Sequence, residues 1–182
     1  MLLYLKSLIQ LILAPRFGWE DVENDGLQAD RIFARGFIPL AAFAGLTSFV
    51  QLIYHPSLNL VGLAIITVIE FMSYFLSYYI GLLVLSSVLP SLTYGETDRD
   101  KIRLFTIESL GLLCVVGIIR NCLPSDLATV NFLLIYIAII MWRAIDYLRV
   151  ELKSGVKFTL ISLLSIMLPS ILIQMLSGNV KF

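Results

Sequence analysis

Leu60–Leu89 is a run of thirty residues that contains no proline, no basic residue and one acid, Glu70. A helix rises ~1.5 Å per residue, so this run would reach ~45 Å, further than the ~30 Å hydrocarbon core of a bilayer. A stretch that long and that apolar predicts a membrane-spanning helix which tilts or continues into the headgroups. On that helix Glu70, Ser73, Tyr74, Ser77, Tyr78 and Gly81 share one face. Val68, Ile69, Phe75, Leu76, Leu82 and Leu83 fall on the other side. One polar, small-residue stripe on a greasy helix is expected to face other helices and not lipid.

The rest of the chain repeats the pattern of apolar blocks and short polar connectors. Its 182 residues are 59% hydrophobic, with a mean hydropathy of +0.92. A soluble domain is closer to half apolar. The expected fold is all-α: a polytopic integral membrane protein with five transmembrane helices, preceded by a short interfacial amino-terminal helix. One domain is expected to cover residues 1–182, with spans at 36–54, 60–89, 104–119, 127–142 and 158–176 and a cytoplasmic interfacial segment at 1–35. A formal net charge of zero argues against nucleic acid as a partner. Cys114 and Cys122 form no CxxC and read as buried apolar thiols, so no metal or cofactor is expected.

Met1–Ala14 would make a helix of ~20 Å, too short to span, and it lacks the basic start of a cleavable signal peptide. Lys6, Ser7 and Gln10 cluster on one side, which predicts a helix lying along the membrane surface. Pro15 should stop it. In the segment Pro15-Arg16-Phe17-Gly18-Trp19-Glu20-Asp21-Val22, Trp19 and Phe17 suit the headgroup level while Glu20 and Asp21 stay wet. Pro15, Trp19 and Glu20 therefore mark an interface segment, either a loop that anchors the chain or a docking element.

Further along, Pro39 is expected in the first turn of the first span, and Ala41 with Gly45 forms a small-xxx-small pair for close helix approach. His55-Pro56-Ser57 reads as a tight connector and Asn59 as the N-cap of the second span. Thr97 or Asp98 would cap the third span, and Arg120 through Asp126 would close it. Pro169 should free the Ser165 carbonyl and kink the last span. Of the thirteen Lys and Arg residues, eleven fall on the amino-terminal side of the alternating connectors, and Arg120 and Lys181 on the other. By the positive-inside rule the amino terminus is cytoplasmic and the carboxyl terminus outside.

Glu70 and Glu108 are the acids inside hydrophobic segments. An unpaired charge at mid-bilayer costs about 2.5 kcal/mol or more. Glu70 should lie near the midplane, and Glu108 about 6 Å along its helix from Leu104. On antiparallel neighbours the two could approach within several ångströms, with water between and no basic residue to neutralise either. Glu70, Glu108, Ser73, Ser77 and Tyr74 thus form a candidate intramembrane polar site. They act either as a proton or cation site or as hydrogen-bonded packing groups. A Ser-His-acid triad would need His55 at the depth of Glu70, and one histidine excludes an HExxH zinc site, so no enzyme activity is expected.

The proline-led segment with Trp19 and its acids, followed by five apolar blocks, resembles the bacterial branch of the YIP (Ypt/Rab-interacting) membrane protein family. The family's aspartate-leucine-tyrosine-glycine-proline stretch is absent from this sequence. The resemblance implies a non-enzymatic integral membrane protein of the bacterial inner membrane. It would act as a scaffold or adaptor in membrane organisation, with the lipid bilayer and other membrane proteins, or further copies of itself, as partners. The alternative is a small proton- or cation-coupled transporter or channel built on Glu70 and Glu108.

Overall fold

The computed structural model describes residues 1–54, 59–95, 98–123 and 128–178, without the side chains of 128–131 and 174–178. Among these the chain is mostly helical, and its one strand-like pairing is an isolated antiparallel bridge between Thr93 and Val150. Four helices are long and apolar enough to cross a membrane: Ala29–Tyr54, Leu60–Ser91, Arg99–Cys122 and Leu152–Ile173. In chain order the helices are α1 (Leu2–Leu13), α2 (Pro15–Asn24), α3 (Ala29–Tyr54), α4 (Leu60–Val88), α5 (Arg99–Cys122), α6 (Ala128–Arg143) and α7, which starts at Gly155 and runs to Gly178.

The expected fourth span, 127–142, corresponds to α6. Its 16 described residues rise ~24 Å, close to the length expected for that span and short of the ~30 Å hydrocarbon core, so among the described residues four helices, not five, meet the length for crossing. The connectors around His55 and Pro124, and the alternative cap Thr97, lie outside the described residues.

α5 is the centre of the bundle. Of its most apolar window 72% is buried, against 33–44% in the other three long helices. It runs antiparallel to α4: Glu70 meets Arg120 and Asn121, while eleven residues on, Gly81 meets Thr106. Asn59 caps α4 by accepting from the Val61 N–H at 3.0 Å, and Asp98 caps α5 through the Asp100 N–H at 2.9 Å. Both exploit the unsatisfied donors of a helix start.

Two prolines shape the long helices alike. Pro39 follows a π-helical turn at Phe33–Phe37, and Pro169 follows one at Leu163–Met167. A proline ring clashes with the carbonyl four residues back and offers it no N–H. The widened turn takes up that clash without ending the helix. Pro39 is therefore not a first-turn residue, because α3 begins ten residues earlier at Ala29. Close approach follows where small residues fall: a methyl group on Gly45 would stand 2.9 Å from the Thr67 carbonyl of α4.

The amino-terminal segment departs most from expectation. Pro15 ends α1 but opens α2, occupying the first-turn position where its missing N–H costs nothing. What reads as a loop is thus a second helix, folded back on α1 with Gly18 against the Leu11 backbone. Nor does α1 present a polar face outward. Tyr4, Ser7, Leu8 and Leu11 are buried, whereas Leu2 and Leu13 are 85% and 79% exposed, together with Leu3 and Ile9. Ser7 belongs to the inner face, and Lys6 to the outer one.

Candidate functional site

The polar stripe on α4 is buried as a unit: Glu70, Ser73, Tyr74, Ser77, Tyr78 and Gly81 all face inward. Val68, Leu76 and Leu83 on the other side are exposed. Ser73 donates to the Glu70 carbonyl at 2.7 Å. Tyr74 packs over Gly117, where an added methyl would come 2.5 Å from its hydroxyl oxygen. Ser77 is fully buried, and its hydroxyl has no hydrogen-bond partner among the described residues.

Glu70 and Glu108 do not share a site. The Glu70 carboxylate receives Arg120 Nη2 at 3.0 Å on one oxygen and Asn121 Nδ2 at 3.2 Å on the other. Asn121 also donates to the Thr47 hydroxyl at 3.2 Å, and its amide oxygen accepts from Gln51 at 3.3 Å. Ser48 and Thr67 meet at 2.7 Å beside it. One acid therefore ties α3, α4 and α5 together. The expectation that no base could neutralise Glu70 fails because α5 continues past Ile119, bringing Arg120 onto the helix and alongside the acid.

Glu108 lies twelve residues before Arg120 on α5, ~18 Å along the axis. It is wholly buried and takes its hydrogen bond from Ser7 of α1, at 2.8 Å, while its second oxygen has no partner among the described residues. Beside it the Tyr4 hydroxyl donates to the Ile107 carbonyl at 2.9 Å. The Tyr4 ring lies against Gly36 and its hydroxyl end against Gly111, where any larger residue would collide with it. Ser7, Tyr4, Arg120, Asn121 and Thr47 are thus the partners that sequence reasoning missed. Arg120 was visible only as a connector charge, and nothing in the pattern of α1 distinguishes a serine turned inward.

Trp19 is a core residue and not a headgroup anchor. It is 2% exposed, donates from Nε1 to the Ile140 carbonyl at 2.9 Å, and stacks on Tyr147 with ring centroids 5.3 Å apart. Pro15 is half-buried and Glu20 exposed, with Glu20 paired to Arg16 at 3.7 Å. Lys101 of α5 bonds Glu23 and stands over the Tyr147 ring, and Arg103 bonds Asp30. Burial, reinforced by the nearby Glu23 and Asp98 carboxylates, raises the Tyr147 hydroxyl above its ordinary range, so it stays uncharged. A cleft of about 80 Å³ opens here, with Trp19 and Tyr147 as its floor and Arg16, Glu20, Glu23, Arg143 and Asp146 around it.

Among the described residues no group of His, Cys, Asp and Glu side chains is placed to hold a metal ion. Cys114 is buried and Cys122 is exposed, so the expectation of two buried thiols holds for one. Comparison with family models, curated proteins and solved structures finds no match to this chain.

Proposed function

We propose that this chain is a non-enzymatic membrane scaffold or adaptor, acting through the α1–α2 hairpin at the charged end of its bundle. One observation carries the reading: each intramembrane acid bonds a side chain of a neighbouring helix, while the hairpin presents Leu2, Leu3, Ile9, Leu13 and Phe17 outward. An apolar face held outward on a rigidly seated helix is suited to lie within one leaflet or against another membrane protein. In this reading the resemblance to the YIP family extends to its role in membrane organisation. The amino terminus and the charged connectors face the cytoplasm, the carboxyl terminus lies outside, and the host membrane is a bacterial inner membrane. Transport by Glu70 and Glu108 would require the two acids in one hydrated path, and their ~18 Å separation along α5 removes that support.

The full chain reconstituted into extruded liposomes, and captured from native membranes, is compared with a Leu3→Ser/Leu13→Ser variant, whose changes touch only the outer face. Wild type is expected to deform vesicles or to retain a membrane partner that the variant loses. Spherical vesicles of unchanged size together with an empty capture would overturn the scaffold reading. A pH-driven cation flux abolished by Glu70→Gln would replace it with transport.

A further inference from the structure

The cleft beside Trp19 has a composition that none of the intramembrane acids explains. Two arginines from different helices, Arg16 of α2 and Arg143 at the end of α6, line it together with three carboxylates, Glu20, Glu23 and Asp146. Arg16 shares Glu20 across 3.7 Å, and Glu23 is already engaged by Lys101. Counting Lys101, three cations and three anions meet here, so neither a simple anion nor a simple cation is favoured. The helices that supply the arginines also carry exposed apolar residues, Phe17 on α2 and Ile139 and Trp142 on α6, and Ile139 shares the face of Arg143 four residues on. A charged cleft on helices that also expose apolar residues suits a lipid at the headgroup level.

We propose that this cleft is a binding site for a phospholipid with a primary-amine headgroup, of the phosphatidylethanolamine class. The phosphate takes the place between Arg16 and Arg143, whose guanidinium groups match phosphate oxygens in pairs. The ammonium lies toward Glu20 and Asp146 and donates its hydrogens to their carboxylates. The acyl chains follow the apolar surfaces of Phe17 and Ile139. A choline headgroup has no N–H to donate and a glycerol headgroup has no cation, so both leave the acids unanswered. The site requires only that the protein lie in a bilayer and stands independently of the scaffold reading.

The test is native mass spectrometry of the full-length protein, delipidated and then titrated with equimolar dioleoyl phosphatidylethanolamine, phosphatidylcholine and phosphatidylglycerol. Wild type is expected to retain the ethanolamine lipid about fivefold over the other two, the scale of solvent-exposed charge pairs. Arg16→Gln/Arg143→Gln should cut retention of the ethanolamine lipid severalfold, to the level of the other two. Glu20→Gln/Asp146→Asn should keep phospholipid but bind the ethanolamine and choline forms alike, and Lys6→Gln, on the outer face of α1, should match wild type. All the altered side chains are exposed, so folding is not at stake. Equal retention of the three lipids by wild type, preference for the glycerol lipid, or a Gln double variant that binds as wild type would overturn the proposal.

Discussion

A carboxylate inside a hydrophobic bundle is tolerated only with partners, and Glu70 shows what those partners must be. At 5% side-chain exposure it depends on two donors, and the stronger comes from Arg120, whose own side chain is 42% exposed. The arginine can keep contact with water or headgroups while its charge reaches inward. Removing it strands the acid, which costs more than the pair is worth. Arg120→Gln is expected to lower stability by about 1–3 kcal/mol, and Glu70→Gln/Arg120→Gln to regain most of that loss. Thermal unfolding in one detergent checks the cycle; additive losses would show that the two side chains do not act together. Glu108 solves the same problem differently, through a hydroxyl from another helix and, among the described residues, without a paired cation.

At the scale of elements, the two glycines of α5 explain how its neighbours are seated. Gly111 and Gly117 are six residues apart, which is not the spacing of a helix-dimer motif. Each instead makes room for a tyrosine, Tyr4 from α1 and Tyr74 from α4. Gly111→Ala is expected to push the Tyr4 ring from its seat, a crowding cost of about 1–3 kcal/mol, and to loosen α1 while the bundle stays intact. Trypsin cleavage after Arg16 should then speed up; a rate equal to wild type would mean that α1 is held elsewhere. Such seats are hard to read in a sequence. The α4 stripe was legible because three- and four-residue spacing survives any packing, and so were the caps at Asn59 and Asp98. The second helix at Pro15–Asn24 was not, because its opening proline and paired charges fit a loop equally well. The partners of Glu70 and Glu108 were hidden for another reason: they come from sequence positions 50 to 101 residues away, and local pattern carries no record of such distances.

For the whole molecule, the charged connectors gather at one end, opposite the Glu70–Arg120 pair. There the connector after α4 bonds the one before α7, from the Tyr94 N–H to the Arg149 carbonyl at 3.0 Å and from the Glu151 N–H to the Leu92 carbonyl at 2.9 Å. Lys101, Arg103, Arg143 and the α2 acids gather on the same side. The α1–α2 hairpin is fastened to this end by Ser7, Tyr4 and Trp19, with its apolar side turned away from the bundle. In a bilayer α1 is expected to lie with Ile9 and Leu13 in lipid while α2 holds Glu20 in water. Spin labels at Ile9→Cys, Leu13→Cys and Glu20→Cys, each on a Cys122→Ser background, test it in reconstituted bilayers. Cys114 is fully buried and should not react. Labels at positions 9 and 13 should collide with dissolved oxygen in preference to a water-soluble nickel chelate, and the label at position 20 should do the reverse. If positions 9 and 13 meet the nickel chelate as readily as position 20, the hairpin does not lie in lipid and the account is wrong.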